Sequence, residues 1–181
     1  MKVALTGGIA CGKSLLSNFL RELGVETIDA DDVVHTLLPD PEERRRIAAE
    51  VFADPEKRKE LEAKLHPVVK EKIDEWLGQP AGSDPIVARI AVIPLLFEAH
   101  WEKNFDIICC VVSSREKQIE RMMTTRGMTL AEAEARLAAQ LPVEEKAKRS
   151  HYVIRNDGTA EELRAEAQKL VDTLCASASL R

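Results

Sequence analysis

Gly7-Gly8-Ile9-Ala10-Cys11-Gly12-Lys13-Ser14 is the stretch that decides how this chain folds. Glycine, four residues, glycine, lysine and serine form the phosphate-loop pattern. Lys2-Val3-Ala4-Leu5-Thr6 before it reads as a short buried strand, and Leu15 to Leu23 after it as an amphipathic helix. Strand, glycine loop and helix in that order are the context the pattern requires. The glycines let the backbone approach phosphate oxygens, so that the N–H groups of Gly8, Ile9, Ala10, Cys11, Gly12 and the residues after them serve as donors. The positive end of the following helix adds its field at the same place. Lys13 then reaches the outer phosphates and the Ser14 hydroxyl can ligate Mg²⁺, so the stretch reads as a nucleotide-phosphate site.

At 181 residues, with 45% hydrophobic and 31% charged residues, the chain has the balance of a water-soluble globular domain. Aromatics make up 4%, which predicts an aliphatic core. A net charge of −5 gives no general attraction to nucleic acid or to an anionic membrane, so phosphate has to be held by local cations and amides. No apolar run approaches the roughly 18 residues of a membrane span. Gly7, Gly8 and Gly12 interrupt the only stretch that looks like a leader, and a cytoplasmic, monomeric protein is expected. The cysteines Cys11, Cys109, Cys110 and Cys175 form no Cys-x-x-Cys pair, which argues against zinc and predicts buried, reduced thiols. Cys11 is the expected exception, an accessible thiol inside the phosphate loop.

Strand-like and helical runs alternate, which predicts an α/β fold with a mostly parallel sheet. A second strand, Val25 to Ile28, leads to Asp29-Ala30-Asp31. Residues 39–78 read as charged helices, with Asp40-Pro41 and Asp54-Pro55 as N-cap and first-turn pairs and His66-Pro67 as a further start. Gly78 to Pro85 reads as a loop, and the apolar runs Ile86–Phe97 and Phe105–Ser113 as central strands. Glu116–Arg126 is a helix ended by Gly127, Thr129 to Glu132 a capping box opening a helix to about Leu141, Val153-Ile154 a last strand, and Thr159 to Leu174 a last helix with a frayed tail. The helical stretches 39–78 and 127–150 interrupt the sheet elements, the arrangement of a substrate lobe and a lid.

A phosphate loop alone does not choose between kinases, GTPases and motor ATPases. The chain has neither an Asn/Thr-Lys-x-Asp guanine motif nor an Asp-x-x-Gly switch, and its strand at 86–97 ends in Glu98 rather than Asp. A small-molecule kinase needs a phosphate loop, a carboxylate near the acceptor hydroxyl and cations on a mobile segment. Asp29 and Asp31 meet the second need; two residues apart in extended chain, both point to one side. One then accepts the hydroxyl proton while the other holds metal-bound water; alternatively they cap the helix beginning near Asp32.

Taken in order, these motifs resemble the dephospho-CoA kinase family over nearly the whole chain. The resemblance rests on Ala4-Leu5-Thr6-Gly7-Gly8-Ile9 with Gly12-Lys13-Ser14, on Ile28-Asp29-Ala30-Asp31, on Leu65-His66-Pro67 and on Ile93-Pro94-Leu95-Leu96-Phe97-Glu98. Arg121, Arg126, Gln140 and Val153-Ile154 with Asn156-Asp157-Gly158 continue it. It implies a three-layer P-loop kinase fold with a helical substrate-binding insertion and a helical lid, with ATP and Mg²⁺ as the phosphoryl donor pair and dephospho-CoA as the acceptor. Under it, Asp31 is the general base, Lys13 stabilises the transferring phosphoryl group, and Arg136 and Gln140 face the nucleotide from the lid. Asn156 and Gly158 lie near the adenine, and residues 39–78 form the CoA lobe. Leu15 departs from the family's usual Thr, His35 from a frequent Arg and Arg155 from a common Asp, and the segment after Leu38 is shorter than usual.

Asp29, His66, Glu98 and Arg121 are the candidate substrate contacts. Glu98 either arranges the Mg²⁺ shell or bonds the acceptor ribose, and Arg121 and Arg126 are lid cations or solvated arginines. Lys146, Lys148 and Arg149 fall in a mixed-charge run that reads as a solvated surface. Two other readings stay open: a kinase for another small hydroxyl acceptor, such as a nucleoside monophosphate or sugar acid, and a non-catalytic nucleotide sensor.

Overall fold

A strand that is buried along its whole length, β1 (Val3–Gly7), lies at the centre of the sheet. The computed structural model describes residues 1–79 and 88–179. In chain order, β1 is followed by α1 (Lys13–Glu22), β2 (Val25–Asp29), α2 (Ala30–Leu37), α3 (Pro41–Ala53) and α4 (Pro55–Gly78). Then come β3 (Ala88–Val92), β4 (Ile107–Val112), α5 (Arg115–Arg126), α6 (Leu130–Ala138), α7 (Val143–Lys148), β5 (Tyr152–Arg155) and α8 (Ala160–Ser179). The five strands form one parallel sheet in the order β2-β3-β1-β4-β5. Leu5 pairs with Val92 on one side and Cys109 on the other, and Val111 pairs with Ile154.

The chain divides into two compact units, Met1–Thr27 with Ala81–Arg181, and Ile28–Pro80. In the first, alternation along the strands sends side chains to two faces. Val3, Leu5, Ile90, Val92, Cys109 and Val111 form one core with Leu16 and Leu20 of α1 and Leu163, Leu170 and Leu174 of α8. Ala4, Thr6, Ala91, Ile108, Cys110 and Val112 alternate with them and are equally buried. On that side α7 packs against β1 and β4. Helices on both faces make the three layers, and burial on both faces explains why the strands are apolar throughout.

In the second unit α4 packs against α2 and α3. The expected caps are in place: Asp40 accepts from the Glu42 amide at 2.8 Å, and Asp54 from those of Glu56 and Lys57 at 3.0 and 3.3 Å. His66-Pro67 does not start a helix. Pro67 lies inside α4, which runs unbroken through it. Proline costs a helix its own missing N–H bond, and here Val69 and Ile73, both buried, two and six residues on, hold the helix past it.

Three other boundaries differ from expectation. The strand at 86–97 is described only as Ala88–Val92, and after Ile93 bonds the Leu5 carbonyl at 2.8 Å the chain turns at Pro94, which has no amide for a ladder. Helix α6 stops at Ala138 rather than near Leu141, since the Leu141 amide bonds Glu98 and Pro142 follows. The last helix continues to Ser179 instead of fraying after Leu174, because no Gly or Pro interrupts it. Of the loop expected at 78–85, Gly78 ends α4, Gln79 caps it, and 80–85 fall outside the described residues.

Candidate active site

The phosphate loop leaves β1 at Gly7 and enters α1 at Lys13. Ala10 and Gly12 both have left-handed backbones, φ 56° and 93°, while Ile9 and Cys11 do not. Such alternation curls the backbone into a concave nest for anions, within which the Cys11 amide donates to the Gly8 carbonyl at 3.3 Å. Gly12 is also the N-cap residue of α1, so the helix terminus faces the same point. No larger residue fits at Gly12: besides its φ, a Cβ there would stand 2.1 Å from the Asn156 Nδ2.

The outward side of the loop is held just as closely. Lys13 Nζ donates to the Gly7 and Gly8 carbonyls at 3.1 and 2.8 Å. Gln118 Nε2 donates to the Ile9 carbonyl at 2.7 Å, Arg121 to that of Ala10 at 3.2 Å, and Asn156 Nδ2 to that of Cys11 at 2.9 Å. Arg121 also donates to Ser113 Oγ and to the Asn156 carbonyl, at 2.9 and 2.7 Å. Arg121 and Asn156 were legible as candidates, but as ligand contacts rather than as supports of the loop backbone. Gln118, 3% exposed, and Ser113, 1% exposed, carried no signal in the sequence beyond lying on the helix and strand behind the loop.

Cys11 is fully buried, not accessible, and desolvation raises its thiol pKa against the pull of Lys13. Burial pushes Cys109 and Cys110 up to about 12. Cys175, expected buried, is exposed on α8.

Beyond the loop, Gln140 Oε1 accepts from the Ile9 amide at 3.1 Å, so both polar groups of the Ile9 backbone are held by glutamines. Glu98 Oε1 accepts from the Leu141 amide at 3.0 Å and from Lys146 Nζ at 2.7 Å. Lys146 is 0% exposed and donates as well to the Pro94 carbonyl at 2.9 Å. The solvated surface expected at 144–149 is thus the short helix α7, whose central lysine is buried because Glu98 neutralises it. Arg149 lies over the Phe97 ring, 4.3 Å from its centre, and pairs with Glu102. A cavity of about 410 Å³ opens beside Gly8, lined among others by Ser113, Arg115, Gln118, Gln140 and Val143.

The remaining candidates divide between the units. Ser14 and Leu15 are exposed in the first turn of α1, and Arg136 is exposed on α6. A Cβ at Gly158 would stand 1.7 Å from Glu162 Oε2, the carboxylate that bonds the Thr159 amide and caps α8. In the helical unit, Asp29 is extended at φ −102° and its carboxylate accepts from the Asp31 amide at 2.9 Å. The extended geometry therefore does not persist to Asp31. Helix α2 begins at Ala30, which puts Asp31 in its exposed first turn, and Asp29 is the cap. His66 is half-buried in α4. A groove of about 380 Å³ in this unit is lined by Ile28, Val33, Thr36, Lys72, Trp76 and Gln79 among others.

The donor set fits a nucleotide phosphate with one hard cation. The nest supplies amides and Lys13 a charge. Ser14 offers one hydroxyl to a metal whose other ligands would be phosphate oxygens and water. Among the described residues no group of three or more His, Cys, Asp or Glu forms a metal cage of its own.

The chain matches the family model described as dephospho-CoA kinase over residues 1–43 and 41–162. A dephospho-CoA kinase from Geobacter sulfurreducens is 37% identical over 189 residues, covering 93% of this chain and 95% of the relative. Among solved structures, a dephospho-CoA kinase from Campylobacter jejuni superimposes with a TM-score of 0.70 at 27% identity, covering 98% of this chain and 99% of that one. A shikimate kinase from Acinetobacter baumannii has a TM-score of 0.66 at 20% identity, with 97% and 93% covered, which is a likeness of fold alone.

Proposed function

This chain belongs to the dephospho-CoA kinase family, and we propose that it transfers the γ-phosphoryl group of ATP to the ribose 3′-hydroxyl of dephospho-CoA by the following division of labour. The observation that carries the reading at the atomic level is the phosphate loop, with left-handed Ala10 and Gly12 and a side-chain donor on each carbonyl from Gly7 to Cys11. A donor surface fixed before the ligand arrives does not reorganise as charge shifts in the transition state, and such preorganised electrostatics supply much of phosphoryl transfer.

Lys13 stabilises the transferring group, and Ser14 holds Mg²⁺, which when bound neutralises charge on the outer phosphates. Asp31 accepts the proton of the 3′-hydroxyl. Its support is its place in the Asp29-Ala30-Asp31 motif and its exposed carboxylate in the first turn of α2, where Asp29 secures its amide. Residues 39–78 form the CoA lobe with His66 among its contacts, and the α2–α4 groove, with Trp76 and Lys72, suits an apolar arm next to charge. Residues 127–150 form the lid, bringing Arg136 and Gln140 to the nucleotide. Asn156 and Gly158 border the adenine, the Asn156 amide holding Cys11 at the same time. Arg121 and Glu98 act from behind the loop and from the lid's base. The protein works as a cytoplasmic monomer.

Other acceptors are not favoured, since the family model and the relatives are dephospho-CoA kinases, and the same finding disfavours a non-catalytic sensor. The Asp31→Asn variant tests the assignment of the base. It is expected to bind ATP as the native protein does and to turn over about 10²–10⁴-fold more slowly. Turnover near the native rate removes Asp31 from the mechanism.

A further inference from the structure

Ala10 is left-handed at φ 56° without being glycine, and such a residue carries a cost that its surroundings must offset. The two peptide groups that flank its α-carbon are the Ile9–Ala10 and Ala10–Cys11 links. The carbonyl of the first accepts from Gln118 at 2.7 Å, and that of the second from Arg121 at 3.2 Å. Both donors stand on α5, one turn apart, with Gln118 3% exposed. Turning the Ile9 carbonyl outward turns the Ala10 amide inward, because the two ends of a planar peptide point in opposite directions, while the Cys11 amide donates to the Gly8 carbonyl at 3.3 Å and closes a turn around Ala10. The close approach is built in: a Cβ on Gly8 would lie 2.6 Å from Gln118 Nε2.

We propose that Gln118 is a positioning residue for phosphoryl transfer: with Arg121 it locks Ala10 in the left-handed conformation from which the Ala10 amide faces the phosphates. It touches no substrate and acts through the loop backbone. The proposal rests on the reading of the loop as a nucleotide site, which ADP binding by the native protein tests separately and without any acceptor.

The test is ADP affinity by calorimetry for three variants. Gln118→Met keeps the volume and removes the donor, and is expected to bind ADP roughly 3–10-fold more weakly, the value of one such bond. Adding Ala10→Gly, which adopts the left-handed backbone without strain, is expected to restore at least half of that loss on a logarithmic scale. A glutamine that only fills the core cannot be rescued by a change in the loop. In Gln118→Glu the ionised carboxylate faces the Ile9 carbonyl, so ADP binding is expected to be weakest at neutral pH. It recovers as acid protonates the side chain and returns a donor, relative to the native protein at each pH. Native-like affinity in Gln118→Met, or no recovery with Ala10→Gly, overturns the proposal. If the Met variant does not fold, a Gln118→Glu variant whose affinity follows the native pH profile overturns it as well.

Discussion

The phosphate loop and the helical unit Ile28–Pro80 are held by different kinds of bond. The loop's carbonyls from Ile9 to Cys11 are secured by partners far away in the chain: Gln118, Arg121 and Asn156 stand 109, 111 and 145 residues from the groups they bond. In the helical unit the described side-chain bonds are local. Asp29, Asp40 and Asp54 cap amides two residues on, and Lys70 bonds Asp74 one turn on. Its buried described residues are Ala30, Val33, Val69 and Ile73. Long-range bracing suits a rigid receptor for charge, whereas the helical unit consists of capped helices with a small core. In the division of labour proposed above, electrostatic work belongs to the first and acceptor recognition to the second.

The sharpest way to break this comparison is to remove one charge from each region. Lys13→Met is expected to slow turnover by about 10²–10³-fold, the effect of losing one transition-state donor. Lys72→Met, in the groove of the helical unit, is expected to raise the KM for the acceptor by less than about tenfold and leave kcat alone. Equal effects on kcat in a phosphoryl-transfer assay would erase the distinction.

Stability separates the regions next. Lys146→Met strands the Glu98 carboxylate, which is 24% exposed, and is expected to cost about 3 kcal/mol by urea unfolding. A loss below about 1 kcal/mol would mean the pair is solvated after all. Alkaline pH probes the same unit. Cys109 and Cys110 are raised from 9.0 to about 12, so the unfolded chain releases their protons first. Their contribution is whole below pH 9.0 and is lost as pH rises toward 12, by up to about 1.4 kcal/mol per pH unit for each thiol. A Cys109→Ala/Cys110→Ala protein should show a shallower fall of stability with pH. Asp54→Ala in the helical unit is expected to cost only about 1 kcal/mol, the value of an N-cap, measured by the same unfolding experiment. A larger loss would show that α4 is tied into more than its own cap.

The same contrast explains what the sequence could reveal. The loop pattern, the caps of Asp40 and Asp54 and the capping box of Thr129 with Glu132 were all legible, because each is a relation between residues at most seven apart. Family resemblance supplied the acceptor, and the comparisons agree with it. The bracing of Ile9, Ala10 and Cys11 was not legible, because it depends on where parallel pairing of β1 with β4 and β4 with β5 brings α5 and Asn156. Lys146 was hidden for a related reason. In a run of alternating charge a lysine reads as solvated, and only the fold brings Glu98 against it. Asp29 looked like half of an acid pair on an extended strand, but a helix starting one residue later made it a cap.

One competition assay bears on the central claim most directly: native protein with ATP and Mg²⁺ and an equimolar mixture of dephospho-CoA, AMP, gluconate and shikimate, with products identified by phosphorus NMR. The account predicts ADP release matched by a new phosphomonoester on the ribose 3′-oxygen of dephospho-CoA, and no other phosphorylated acceptor. Phosphate appearing on another acceptor, or ADP released with dephospho-CoA unchanged, would contradict it.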